Sequence, residues 1–435
     1  MPHDVQSSEN RIVPPSSSPT ALPFVVGFYF AFRLFIMLLA VRILGTDPRT
    51  GTALSLAFDF LLLVCVSFCT LGEVRYQLKQ LTELPAVPWV IAFLGFSCCS
   101  LAWSSTASTT TSIAYWCGMA ADVAIVVLMI QAQPLKCITH PLMEGYVWGA
   151  CLIAVIAWIM PAQSDLRLGD EELLGSNQIG YLCGFAFYFA QYCMRERKGK
   201  LSYHALLLGI TLLRTLSKTT IVAFLVSQGF LLFTDRSISR KSKILAALTT
   251  AAAVAALWGL LSSYFDAYTS TGSQSTTLTG RIGIWAYLLA EALQQPWIGH
   301  GFDSVWKVIP PFGSDQFEAA HAHNELLQQF YAYGVVGALM FLGIYSSFFR
   351  HIRSLPSGPF RTFLFAFLAF VLVRGTADTE RFDLSLPMWA IVMFSIMIEQ
   401  ARNRQAEFPE TAAVASFSLP ILSSDHSLIN RQTTD

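Results

Sequence analysis

Long apolar stretches alternate with short polar turns along most of this chain, and each is close to the ~20 residues that an α-helix needs to cross a bilayer. About twelve such segments can be drawn. They cover residues 23–44, 51–71, 85–103 and 109–131, then 144–162, 176–193, 202–215, 217–234 and 243–263, and finally 325–349, 360–374 and 384–400. The pair 202–215 and 217–234 is short and broken at Lys218. Between the ninth and tenth segments the chain makes a long polar excursion, residues 263–324. The pattern predicts an all-α fold, a polytopic membrane bundle over residues 23–404. Residues 1–22 and 405–435 are polar, and the first of these is rich in Ser and Pro, so both are expected to be disordered tails. The N-terminal tail lacks the basic start and small-residue cleavage site of a signal peptide.

Composition sharpens this reading. Hydrophobic residues make up 54% of the chain and charged residues only 13%, about half of the ~25% usual in soluble domains. With 28 Lys+Arg against 28 Asp+Glu the net charge is zero, so no basic field for nucleic acid is present. The nine cysteines form no C-x-x-C pair and lie in or beside apolar segments, which suits buried small hydrophobes better than a zinc or redox site.

Lys and Arg resist translocation and gather in cytoplasmic loops. Counted by alternate loops, one set is rich, including Arg75, Lys79, Lys136, Arg195, Lys198, Arg236, Lys241, Arg350, Arg361 and Arg404. The other set is poor, although it includes the longest loop. Both termini are therefore expected in the cytoplasm, and the 263–324 loop outside it, which in a bacterium with two membranes is the periplasm. Basic residues of the poor set need another reason to exist. Arg214 and Lys218 flank a break between spans, Arg281 opens an amphipathic stretch, and Arg374 and Arg381 bracket the last outer loop. They form a candidate anion site, the alternative being that they snorkel to headgroups or pair with Asp378, Glu380 and Asp383.

The outer loop carries two motifs. Thr279-Gly280-Arg281-Ile282-Gly283-Ile284-Trp285 leads into apolar positions at helical spacing up to Leu293, which predicts a helix lying at the membrane surface. Pro296-Trp297-Ile298-Gly299-His300-Gly301 then breaks it. Farther on, His321-Ala322-His323-Asn324-Glu325 runs straight into the tenth span. Two of only eight histidines, beside an amide and a carboxylate, make a candidate acid/base cluster near neutral pH. The i, i+2 spacing of the rings does not place both on one helical face, which argues against zinc.

His323-Asn324 followed by Gly334-Val335-Val336-Gly337, with Gly280-Arg281, Trp285 and Pro296-x-x-Gly299-x-Gly301 before it, resembles the signature of the bacterial O-antigen ligase and polymerase superfamily. Ser217-Lys218-Thr219 is similar to the family's Ser-Arg-Thr element, with Lys where many ligases carry Arg. Gly175-Ser176-Asn177-Gln178-Ile179-Gly180 resembles the loop before the sixth span. The resemblance covers roughly residues 200–375. It implies a membrane glycosyltransferase of the C-type fold in the bacterial inner membrane, taking its donor from an undecaprenyl-pyrophosphate-linked oligosaccharide and needing no metal or cofactor. Arg281, Lys218 and Arg214 would bind the pyrophosphate. His323 would position or deprotonate the acceptor hydroxyl, and Asn324 or His321 would orient the ring or the sugar, in a single inverting displacement. A glycan acceptor, the lipid bilayer and chain-length regulator or export proteins are the partners it implies.

Independently, the chain has no Asp-x-Asp motif and no Gly-x-Gly-x-x-Gly loop after a strand, so a soluble nucleotide-sugar enzyme is disfavoured. A transporter of the same lipids would more naturally carry charges at mid-membrane in paired, interrupted helices. The His-Asn element favours an enzyme. Among enzymes the expectation is a polymerase for a surface or secreted polysaccharide, most like exopolysaccharide polymerases of the succinoglycan type, with an O-antigen ligase acting on lipid A core as the alternative. Gly334 and Gly337 are read as small residues permitting close helix approach. Trp285, Trp297 and Trp306 are candidate sugar-stacking rings.

Overall fold

The computed structural model describes residues 21–72, 78–161, 163, 166–170, 173–196, 201–236, 238–256, 258–259, 262–263, 281–304, 311–312, 317–318, 321–379 and 385–407. Helices occupy all twelve apolar segments. They are α1 (Ala21–Leu38, continued by a π-helical turn Leu39–Ile43), α2 (Pro48–Thr70), α4 (Val87–Ser100), α5 (Thr109–Ala132), α6 (Leu135–Ile159) and α7 (Ser176–Glu196). Then come α8 (Ser202–Arg214), α9 (Lys218–Thr234), α10 (Arg240–Ala256), α12 (Glu325–Arg353), α13 (Pro359–Gly375) and α14 (Ser385–Glu407). A five-residue α3 (Leu78–Thr82) and the outer-loop helix α11 (Arg281–Ala292) lie between spans. Within the outer loop, β1 (Pro311–Phe312) pairs antiparallel with β2 (Phe317–Glu318), with Phe312 opposite Phe317. Among the described residues five helices are long and apolar enough to cross a membrane by length and composition: α1 with its π turn, α2, α5, α6 and α12.

Boundaries follow local chemistry. Asp47 caps α2, its carboxylate accepting from the Thr50 N–H, with Pro48 at the first helical position. Ser108 caps α5 in the same way. Helix α6 starts nine residues before the expected 144, at Leu135. Its first turns carry Lys136, His140 and Pro141 and are too polar to register as a membrane segment. Helix α14 likewise runs on through polar Arg402–Glu407, three residues into the expected C-terminal tail. The rest of both tails lies outside the described residues.

The tightest packing is between α1 and α6. A Cβ on Gly27 would stand 1.9 Å from the Leu142 carbonyl oxygen, and one on Gly145 2.0 Å from that of Phe24, so only glycine lets these backbones meet. The core beside this pair is aromatic: Tyr146, Phe185, Phe189, Phe367 and Trp389 are buried ring against ring. One intramembrane charge cluster joins α1, α2 and α5, where Arg33 donates to both Asp122 oxygens at 2.9 and 2.7 Å and stands 3.8 Å from Asp59. No disulfide joins any of the nine cysteines.

Helix α12 is two helices joined at Gly334, whose φ of 62° and ψ of −161° interrupt the spiral. The outer loop fills that break. Val335 N–H donates to the Pro296 carbonyl at 2.8 Å and Val336 to Trp297 at 3.2 Å, while His300 and Gly301 donate to Tyr331 and Ala332 at 3.1 and 2.7 Å. A Cβ on Gly334 would lie 2.4 Å from the Trp297 backbone, and one on Gly299, at φ 64°, 2.4 Å from Tyr333 N. Gly334 therefore serves a close approach, as expected, but to the outer loop instead of to another helix. The loop is also held to the α4–α5 turn: Ser105 N–H donates to the His300 carbonyl and Ser112 Oγ to Asp303.

Candidate functional site

The outer-loop motifs converge at one end of the bundle, where α7, α9, α11 and α12 begin and α8 and α13 end. Helix α11 buries Ile284, Leu288 and Ala292, one face at i, i+4 and i+8, against Tyr331 and Ala322. Its opposite face leaves Ile282, Leu289 and Leu293 exposed, as suits a helix lying at a membrane surface. Trp285 belongs to the framework, since its indole N–H donates to the Ala322 carbonyl at 2.8 Å and fixes the turn between the two histidines. Ala322 N–H in turn donates to Gln328 Oε1.

His323 is the best-placed acid/base group. Its backbone sits at φ 49°, the left-handed region, immediately before the helix cap. Its Nδ1 faces Asp378 Oδ1 at 3.3 Å, and the carboxylate is fully buried while the imidazole keeps 18% of its side-chain surface exposed. The other Asp378 oxygen stands 3.5 Å from Arg374 Nη2. Arg374, also buried, lies over the Tyr181 ring at 3.9 Å. Burial alone would raise the Asp378 carboxyl, but Arg374 and His323 outweigh it and hold the pKa at about 2. Tyr181, Arg374, Asp378 and His323 thus form a continuous chain of supports ending at an accessible imidazole. His321 packs edge-on against His323, ring centres 4.0 Å apart. Burial, and then the neighbouring His323, push its pKa down to about 3, so this ring is neutral at physiological pH.

Asn324 has a structural post. Its Oδ1 accepts from Leu327 N–H at 3.0 Å as the N-cap of α12, and its Nδ2 donates to the Thr376 carbonyl at 2.9 Å. Glu325 accepts from Gln329 at 2.7 Å and from Thr379. Both residues clamp the start of α12 to the end of α13, which keeps Asp378 opposite His323.

The cations gather beside this chain. Arg281 Nη1 points to Thr219 Oγ1 at 3.5 Å, which brings the loop motif onto Ser217-Lys218-Thr219. Its charge also bears on His321, and together with that of Arg167 on Lys218. Arg167, which donates to Ser176 at 3.4 Å, was not singled out from the sequence. Arg214 donates to the Leu166 carbonyl at 2.7 Å and so holds the loop that presents Arg167. Gly180 permits the join: a Cβ there would lie 3.1 Å from Thr215 Oγ1 and 3.3 Å from Ser217 Cβ. Arg374, expected on the anion site, is instead paired with Asp378, the alternative the sequence had left open. Arg381, Trp306 and Gly280 lie outside the described residues. Trp297 is 69% exposed and Gly337 lies beneath the Tyr333 side chain.

An open cavity of about 270 Å³ adjoins the site, running from Arg374, Asn324 and Glu325 between α12 and α13 to the apolar surface at Leu342 and Leu372.

Residues 204–342 match the family model described as O-antigen ligase. Over these residues the chain is similar to that family. The matched segment runs from α8 into α12 and includes Arg214, Lys218, Arg281, His321, His323 and Asn324, while Arg167, Arg374 and Asp378 lie outside it. The chain is similar to an O-antigen ligase of Pseudomonas aeruginosa, 28% identical over 330 residues that cover 72% of this chain and 77% of the relative. It is also similar to the exopolysaccharide production protein ExoQ of Rhizobium meliloti, 22% identical over 379 residues covering 80% of this chain and 83% of the relative.

Proposed function

We propose that the protein is a polysaccharide polymerase, joining undecaprenyl-pyrophosphate-linked oligosaccharide repeat units at the outer face of the bacterial inner membrane. The observation that carries this reading is the meeting of two kinds of group: an accessible imidazole backed by a buried carboxylate, and the Arg281 guanidinium, whose charge reaches both the neighbouring His321 and Lys218.

With Asp378 accepting from His323 Nδ1–H, Nε2 keeps its lone pair and takes the proton of an acceptor hydroxyl. The hydroxyl oxygen attacks the anomeric carbon as its bond to the pyrophosphate oxygen breaks, inverting the configuration in one displacement. Charge grows on the departing pyrophosphate, where Arg281, Lys218 and Arg167 meet it with charge-assisted hydrogen bonds. The N-termini of α9, α11 and α12 add their partial positive charges at the same end. Arg374 and Asp378 are positioning residues that hold the imidazole in place.

The relative named O-antigen ligase favours a second reading, transfer to lipid A core. The match to the exopolysaccharide relative extends over more of this chain, and Lys218 offers a point charge in place of the rigid Arg fork, which suits a looser grip on a growing chain. A deletion strain distinguishes the two. A polymerase mutant loses high-molecular-weight polymer and retains single repeat units. Long chains left on the undecaprenyl carrier, with bare lipid A core at the surface, would establish the ligase instead.

A further inference from the structure

The opposite end of the bundle carries a second cavity, of about 390 Å³, between α6, α7, α13 and α14. Helix α13 links the two places, with Pro359 at this cavity and Arg374 at the transfer site, so they stand roughly 22 Å apart along its axis. The volume is within the roughly 300–1,000 Å³ usual for small-molecule sites. Its chemistry is divided. Lys136, His140, Arg195 and Arg404 edge it, whereas Tyr192, Phe360, Phe363 and Met397 supply an apolar wall. None of the residues lining it is acidic.

The cations do not have equal freedom. Arg195 is tied down, donating to Asp235 at 2.6 Å and to the Pro359 carbonyl at 3.2 Å. Lys136 and Arg404 are exposed and make no ion pair among the described residues. Among the described residues nothing neutralises their charge. Both belong to the Lys/Arg-rich loops assigned to the cytoplasmic side, where anionic lipids collect and basic pockets between membrane helices take their headgroups.

We propose that this cavity holds the phosphate-bearing headgroup of an anionic phospholipid, with Lys136 and Arg404 on the phosphate and the acyl chains leaving over the Tyr192, Phe360 and Phe363 rings. The apolar wall selects a lipid over a free anion, since inorganic phosphate has nothing to place against three aromatic rings. The site is separate from the transfer site and does not depend on the polymerase reading.

Native mass spectrometry of the full-length protein in neutral detergent tests the proposal, with phosphatidylglycerol, phosphatidylcholine and inorganic phosphate as separate probes. Phosphatidylglycerol should bind and raise the thermal unfolding midpoint, and phosphatidylcholine and phosphate should do neither. The double variant Lys136→Gln, Arg404→Gln should bind phosphatidylglycerol roughly thirtyfold more weakly. Each variant alters an exposed side chain, so the unfolding midpoint without lipid should match that of the parent. Equal binding of phosphatidylcholine, or undiminished phosphatidylglycerol binding by the double variant, would overturn the proposal. Stabilisation by inorganic phosphate alone would assign the cavity to the free anion and overturn the lipid.

Discussion

In the proposed mechanism His323 acts as a base while Asp378 holds its ring, and the 3.3 Å contact between them makes the carboxylate the next residue to test. Asp378→Asn should cut glycan transfer by about a hundredfold or more, the scale of a mispositioned general base. The variant also leaves Arg374 buried beside a neutral partner, so its amount in the membrane must be measured with its activity. Transfer at the parental rate would remove Asp378 from the mechanism. The buried His321 also has a pH consequence. The folded-state pKa of His321 lies below its ordinary value of about 6.5, so the unfolded chain binds the extra proton as pH falls from 6.5 toward 3. Stability should therefore decline over that window, by up to ~1.4 kcal/mol per pH unit. Asp378, held down at about 2, adds its own loss only below about pH 4. Thermal unfolding at pH 7, 6, 5 and 4 should show a falling midpoint for the parent and a flatter profile for His321→Gln. Parallel profiles would show that His321 is not buried as a neutral ring.

Among elements, the broken helix α12 and the loop stitched into it are the least tolerant of change. Gly334→Ala forces a Cβ to 2.4 Å from the Trp297 backbone at a φ of 62°, so the strain of about 1–3 kcal/mol for such a backbone comes on top of a collision. The loop should lift from α12, lowering the unfolding midpoint and abolishing transfer, although neither Gly334 nor Trp297 touches His323 in this structure. A variant with parental stability and activity would show that the loop–helix stitching is dispensable. The helices of the twelve apolar segments were legible because long apolar runs signal helix, and five of them are long and apolar enough to cross a membrane. The polar ends of α6 and α14 were not, because a helix can continue into the interface once its apolar part is packed. The break at Gly334 was likewise hidden: glycine was read as a contact between helices, and the loop that enters it comes from some forty residues earlier in the chain.

At the scale of the whole molecule, the site gathers residues that sequence order keeps apart. Arg281, His323 and Lys218 could be singled out because each stands at the edge of an apolar segment with unusual chemistry. Asp378 was legible only as a possible ion-pair partner and Arg167 not as a site residue, since their value comes from facing His323 and Lys218 across the fold, 55 residues away in the case of Asp378. The surrounding asymmetry of Lys and Arg implies an inward N-terminus and an outward 263–324 loop. A reporter fused at Gly313 should be active only outside the cytoplasm, and cytoplasmic activity would overturn both the topology and the side of the membrane on which transfer is placed. The most direct test of the account is transfer by the purified, reconstituted protein supplied with an undecaprenyl-pyrophosphate-linked repeat unit. The parent should join repeat units and release undecaprenyl pyrophosphate, while Arg281→Ala and His323→Ala, each inserted in the membrane at the parental level, should leave the donor unconsumed. Losing one donor to the charged leaving group costs about 3 kcal/mol, or over a hundredfold in rate. Near-parental product from either variant would contradict the assignment of pyrophosphate binding to Arg281 or of proton transfer to His323.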